Sequence, residues 1–244
     1  VSSIAAIKRA LPVFKAAGLT PVLGPNVRNL RADGWHAGSV QQRIDEMNWA
    51  VEDDSINGII VAEGGYGACE LLPFLPYETM KETAKPFMGM SDVTAINNAL
   101  LSRAEFVNIS GPNMRCRTKY PSDPKSLMLA LKLLMTNEPW LEKPFEQTHI
   151  LPRTVCGGFA RGKAVGGNMT IFCGLIGTPY VPDCTDSIMF LEDVGINGIE
   201  MSMHLNKMDL SGMLDGLAGI VFGQFIDRAE RMDEDFALED VIVR

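Results

Sequence analysis

Pro86-Phe87-Met88-Gly89-Met90 runs without a break into Ser91-Asp92-Val93-Thr94-Ala95-Ile96, and the reading of this junction decides the fold. The first five residues form a short apolar run, as expected of a strand buried on both faces. Residues 92–103 follow as a helix, so Ser91 stands where a strand passes directly into a helix. An earlier unit repeats the pattern. The apolar strand 58–62 leads into the glycine-rich turn Glu63-Gly64-Gly65-Tyr66-Gly67 and then a short helix through Leu71 and Leu72. Residues 105–109 read as the next strand. Short apolar strands alternating with helices predict a parallel sheet covered on both faces.

Outward from this centre, Ser2 or Ser3 can cap a helix reaching about Ala17, with Ile4, Ile7, Leu11 and Phe14 on one face. Gly18 ends it, and residues 20–23 read as a short strand. A second helix is expected over 40–51. Downstream, 115–124 is polar and turn-rich, and 126–135 forms one amphipathic helix. The stretch 138–153 carries Pro139, Pro144 and Pro152 and has little periodicity, so it reads as a linker. Beyond it come Gly157-Gly158, Gly166-Gly167-Asn168, a strand over 187–192, a helix over about 199–210 and a strand over 217–225. The organisation expected is an α/β domain over 1–137, a linker over 138–153 and a smaller, glycine-punctuated mixed α/β domain over 154–244.

Bulk properties narrow the function. The chain has 244 residues, 46% of them hydrophobic, which suffices for a sizeable core. Its mean hydropathy is +0.07, and no apolar run is long enough for a membrane span. A net charge of −8 with no Lys/Arg cluster argues against a nucleic-acid partner. Cys69, Cys116, Cys156, Cys173 and Cys184 are scattered, with no CxxC pair or zinc-like spacing. They read as free thiols in a reducing cytoplasm, and no metal is expected.

The candidate site residues each have a plain structural reading beside the functional one. Ser91 is either a helix N-cap or a nucleophile at the C-terminal edge of the sheet, where open α/β folds bind ligands. In the second case the backbone N–H of Asp92, at the positive end of the helix, can stabilise an oxyanion. The run Gly89-x-Ser91-x-Val93 lacks the second glycine of the GxSxG elbow. Gly64 and Gly65 either make a tight turn or supply a second oxyanion donor, and Tyr66 sits beside them. Glu192 ends its strand, where a carboxylate can orient a histidine, or it is an exposed acid at a loop. Asn168 either offers its amide to a substrate carboxylate or shapes a turn. The histidines His36, His149 and His204 lie in a loop, the linker and a helix, and none stands in a position suited to a general base. The nucleotide fingerprints GxGxxG and GxxxxGK[ST] do not occur.

Taken together, these runs resemble the LD-carboxypeptidase family of serine peptidases, which includes murein tetrapeptide LD-carboxypeptidases and microcin C self-immunity hydrolases. The matching segments occur in order: Ala37-Gly38 with Arg43, Gly64-Gly65-Tyr66-Gly67, Lys85-Pro86, Gly89-Met90-Ser91-Asp92-Val93-Thr94 and Gly111-Pro112. Gly166-Gly167-Asn168, Gly177-Thr178-Pro179-Tyr180 and Phe190-Leu191-Glu192-Asp193 complete the set. The resemblance implies an N-terminal Rossmann-like domain, a smaller C-terminal domain and a site in the cleft between them. It implies Ser91 as nucleophile, Glu192 as triad acid, and the amides of Asp92 and the Gly64-Gly65 turn as the oxyanion hole. It also implies metal-free and cofactor-free hydrolysis through an acyl-enzyme, a homodimer, and a small peptide or muropeptide substrate recycled in the cytoplasm.

Two departures accompany it. Glu63 stands where the family usually carries Arg. The family's catalytic histidine lies in a Gly-His motif that residues 1–244 do not contain, and Val1 begins in mid-pattern. The resemblance therefore implies a longer native protein with its base beyond Arg244, and little activity from these residues alone. Hydrolysis of a peptidyl or aminoacyl nucleotide, and a non-catalytic small-ligand module, stand as alternatives.

Overall fold

The computed structural model describes residues 4–28, 36–114, 124–136, 153–226 and 242. The proposed Ser2 or Ser3 cap, most of the linker, His149 and Cys116 lie outside them. The first half contains the helices α1 (Ile4–Ala16), α2 (Val40–Glu52), α3 (Tyr77–Thr83), α4 (Thr94–Ala104) and α5 (Pro124–Leu134). Its strands β1 (Ile59–Ile60), β2 (Phe87–Gly89) and β3 (Ile109–Ser110) form one parallel sheet in the order β1-β2-β3.

Consecutive strand residues point to opposite faces, and both faces of this sheet are covered. Phe87 joins a core built from Ile44 and Val51 of α2, Met80 of α3 and Ile96 and Leu100 of α4. Its neighbour Met88 joins a second core, with Ile7 and Phe14 of α1 and Leu127 and Leu131 of α5. Phe87 and Met88 are both wholly buried, as the apolar run 86–90 requires of a central parallel strand.

The second half is a separate parallel sheet, β4 (Lys163–Asn168), β5 (Ser187–Val194) and β6 (Gly219–Ile226), in that order. Helices α6 (Met169–Gly174) and α7 (Gly198–Leu210) cover one face. Along β5 the burial alternates: Met189 and Leu191 are wholly buried against Met169, Phe172 and Met201, while Phe190 and Val194 are exposed. The α/β class with parallel sheets thus holds in both halves.

Helix α4 joins the halves. Thr94 to Leu100 are buried without interruption, on every face of the helix. Such a helix lies between two layers, which is why it is barely amphipathic. The Asn98 side chain donates to the Gly166 carbonyl at 2.7 Å and accepts from the Gly166 N–H at 3.3 Å. The Thr94 hydroxyl accepts the N–H of Asn168 at 3.0 Å.

Several local expectations are corrected. Residues 20–23 form no strand. Val22 and Leu23 are exposed, and a cavity of about 310 Å³ separates them from β1. Without a neighbouring backbone to receive its hydrogen bonds, an apolar tetrapeptide forms no ladder. The strand expected over 105–109 begins only at Ile109, because Glu105 ends α4 in the left-handed conformation at φ 52°. Asn168, one reading of which was a turn, is the last residue of β4, which also holds Gly166 and Gly167. Both glycines lie inside β4 with φ of 108° and 121°, where Gly166 presses against the Phe190 carbonyl and Gly167 against Thr94. Helices α3 and α6, of seven and six residues, were not anticipated; both are too short to show a helical period.

Candidate active site

Ser91 stands two residues past β2 as the first residue of a 3-10 turn, Ser91–Val93, that feeds α4. It is not an N-cap. Met90 holds the cap position, and no side-chain cap bond is made there. Ser91 instead adopts φ +66°, a left-handed conformation that costs a non-glycine residue about 1–2 kcal/mol. Two buried asparagines hold the peptides around it. Asn97 donates to the Gly89 carbonyl at 3.0 Å, and Asn113 accepts the Met90 N–H at 3.0 Å. The strained turn is thereby over-determined by its surroundings, as strained residues at functional sites are.

The glycine turn arrives at the same place because β1 and β2 are adjacent and parallel. Gly64 packs directly on Ser91: a Cβ at residue 64 would meet the Ser91 Cβ at 3.0 Å and its Oγ at 3.2 Å. Only a glycine lets the loop backbone come that near. Gly65 and Gly67 have φ of +108° and +104°. The Asp92 side chain, which the sequence analysis did not use, holds the far end of this loop by accepting the Ala68 N–H at 2.8 Å. Burial is the main influence on that carboxylate and raises its pKa, partly opposed by the Ala68 hydrogen bond and by Arg43. Tyr66 is 69% exposed beside the turn, its ring tilted against His36.

The C-terminal half brings a second polar group to the edge of its own sheet. Asn168 ends β4 and caps α6, accepting the Ile171 N–H at 3.2 Å. Its register partner is Glu192. The Asn168 amide donates to Asp193 Oδ1 at 2.9 Å and also bonds Glu192. The carboxamide proposed for a substrate is therefore engaged by two protein carboxylates here. Asp193 is buried and accepts from the Thr170 N–H at 2.9 Å and the Thr170 hydroxyl at 2.6 Å. Glu192 lies on the opposite face of β5. Its pKa is pushed up to about 7, first by burial and then by the adjacent Asp193, with the Asn168 bond acting the other way. Because the turn containing Ser91 touches β4, the sheet edge that carries Asn168 and Glu192 adjoins that turn.

His36 and His204 are the histidines among the described residues. His36 is buried behind the glycine turn, 3.6 Å from Glu70. His204, on α7, lies 3.5 Å from the Thr170 hydroxyl, and burial lowers its pKa. Among the described residues no cluster of three or more His, Cys, Asp or Glu could hold a metal ion. No described helix is long and apolar enough to cross a membrane. Glu70 and Asn113 gave no signal in the sequence, and Arg43 entered only through the resemblance; a polar residue in a helix or loop carries no sign of the distant backbone that it holds.

Comparison with known proteins identifies the family and the fold. Residues 1–111 match the LD-carboxypeptidase N-terminal domain and residues 161–244 the LD-carboxypeptidase C-terminal domain. A probable murein peptide carboxypeptidase of Bacillus subtilis is 25% identical over 241 residues, covering 96% of this chain and 73% of its own. A putative carboxypeptidase of Streptomyces coelicolor is 28% identical over 223 residues, covering 90% and 70%. Among solved structures, an MccF-like protein from Bacillus anthracis superposes with a TM-score of 0.83 at 23% identity, over 99% of this chain and 78% of that one. A muramoyltetrapeptide carboxypeptidase from Oxalobacter formigenes does so with a TM-score of 0.80 at 23% identity, over 99% and 79%. At such identities the superpositions speak for the fold, and the matched domains speak for the family. The chain belongs to the LD-carboxypeptidase family of hydrolases.

Proposed function

We propose that this protein is a serine-type LD-carboxypeptidase that releases the terminal D-amino acid from an L,D-linked muropeptide, with Ser91 as nucleophile. One observation carries the reading: Ser91 is held at φ +66° on a strand-to-helix turn, with Gly64 packed so closely on it that a Cβ at residue 64 would stand 3.2 Å from its hydroxyl. Ser91 Oγ attacks the scissile carbonyl, and its proton passes to a base. The carbonyl oxygen takes the charge and is met by the Asp92 N–H and an N–H of Gly64 or Gly65. Collapse of this intermediate expels the D-amino acid as an amine that takes the proton. Water then cleaves the acyl-enzyme and regenerates Ser91. The resemblance implies a histidine as that base, which Glu192 orients, and the Asn168 side chain acts on Glu192 in turn. Tyr66 lines the entrance on the substrate side, and no metal or cofactor takes part.

Hydrolysis of a peptidyl nucleotide is the second reading. Its support is the equal likeness to the microcin C7 self-immunity protein MccF in complex with glutamyl sulfamoyl guanosine (TM-score 0.82, 19% identity, 97% of this chain and 77% of that one). The test is incubation of the full-length protein and its Ser91→Ala variant with tetrapeptide. D-Alanine release by the wild type alone is the expected result. Equal release by both excludes Ser91, and a Ser91-dependent turnover of peptidyl nucleotide without D-alanine release establishes the second reading. No fluorophosphonate label on Ser91 leaves a non-catalytic binding module.

A further inference from the structure

The proposed oxyanion turn is supported from behind by side chains that the chemistry above does not use. Arg43, on α2, donates through Nη1 to the Gly67 carbonyl at 3.0 Å and through Nη2 to Glu70 Oε2. His36 Nε2 stands 3.6 Å from the other Glu70 oxygen, and its ring lies 5.9 Å from that of Tyr66. Gly67 rests directly on this assembly: with φ +104°, a Cβ there would stand 2.6 Å from His36 Cδ2 and 3.1 Å from Arg43 Nη1. The N–H of that same peptide, on Ala68, is held from the other side by Asp92.

A loop with three glycines has more backbone freedom to lose than any other of its length. An oxyanion donor is effective only if its direction is settled before the reaction begins. The loop therefore needs an external brace, and a planar guanidinium can span a carbonyl and a carboxylate at fixed angles where an ammonium cannot.

We infer that Arg43, seated by Glu70 and His36, is a positioning residue that fixes the Gly67 peptide and thereby aims the Gly64-Gly65 amides at the oxyanion of a Ser91-bound substrate. This rests on the reading of Ser91 as nucleophile and of the glycine turn as its donor. Arg43 touches neither substrate nor the reacting atoms. It acts through the loop, so its loss lowers the rate of bond formation at Ser91 and leaves substrate affinity nearly unchanged.

The experiment compares full-length wild type with Arg43→Met, Arg43→Lys and Glu70→Gln. The readouts are the rate of Ser91 labelling by a fluorophosphonate, kcat and KM on tetrapeptide, and the melting temperature. A positioning role predicts labelling and kcat about 10–100-fold lower in Arg43→Met, somewhat less than loss of an oxyanion donor itself, with KM within about threefold. Arg43→Lys recovers part of the rate. Glu70→Gln retains the packing of Arg43 and shows the same sign, which keeps the test decisive if Arg43→Met does not fold. Folded variants labelled at the wild-type rate overturn the inference and leave the serine-hydrolase reading intact. A wild type that is not labelled at Ser91 overturns that reading and this inference together.

Discussion

Gly64 packs on Ser91 so closely that a side chain there would crowd it: a Cβ on residue 64 would stand 3.0 Å from the Ser91 Cβ and 3.1 Å from the Met90 carbonyl. These contacts are tight without being impossible, so Gly64→Ala shifts the loop or the serine by a few tenths of an ångström instead of unfolding the chain. The expected outcome is a melting temperature within a few degrees of wild type. Ser91 labelling by a fluorophosphonate falls by about tenfold or more, since small misplacements at a reacting group are costly. Equal labelling rates show that the turn takes no part in Ser91 chemistry.

The strained backbone of Ser91 makes a stability prediction that runs opposite to the usual effect of glycine. At φ +66° a Cβ is unfavourable, and glycine removes that cost. Ser91→Gly is therefore more stable than Ser91→Ala by about 1 kcal/mol, measured as the difference in urea unfolding free energy. Both variants lose the label. An alanine variant as stable as the glycine one contradicts the strained geometry.

Glu192 leads to a pH dependence whose sign is fixed by its raised pKa. Between pH 4.5 and about 7 the folded chain keeps a proton on Glu192 that the unfolded chain has released. The native state then binds more protons, so this group's contribution to stability is full below pH 4.5 and is lost as pH rises through about 7. Chemical denaturation at a series of pH values should show wild type losing stability across this window relative to Glu192→Gln. Asp193→Asn removes the neighbouring charge that raises the pKa, and the window contracts from its upper end. Parallel curves for wild type and Glu192→Gln refute the shift.

Thr94 supplies a test of how the halves are joined. Its buried hydroxyl accepts the Asn168 N–H at 3.0 Å, and Thr94→Val keeps the shape while leaving that N–H without its partner. The expected cost is about 1–3 kcal/mol, seen as a lower denaturation midpoint. A neutral substitution shows that the contact contributes nothing measurable.

Much of this was legible in the chain itself. The run Phe87-Met88-Gly89 is apolar at consecutive positions, and only a strand covered on both faces tolerates that; the two cores meeting at Phe87 and Met88 follow directly. Ser91 and the glycine turn fall one strand–helix unit apart, so a parallel sheet brings both to the same edge. What local reading could not supply was any property that depends on partners distant in sequence. Residues 20–23 have strand character, yet a strand exists only where another backbone takes its hydrogen bonds. Gly166 and Gly167 read only as glycine punctuation, yet both lie within β4, where Thr94 and the Phe190 carbonyl occupy the space a side chain would need. By its own neighbours Ser91 was as good a helix cap as a nucleophile. Tertiary structure removed the cap reading by placing Met90 at that position and turning Ser91 to φ +66° under Gly64. Composition and periodicity are local and determine which segments are strands, helices and buried faces. The support of the glycine turn by Arg43 and of Asp193 by Asn168 and Thr170 spans tens of residues, and only the folded chain brings those groups within hydrogen-bonding distance.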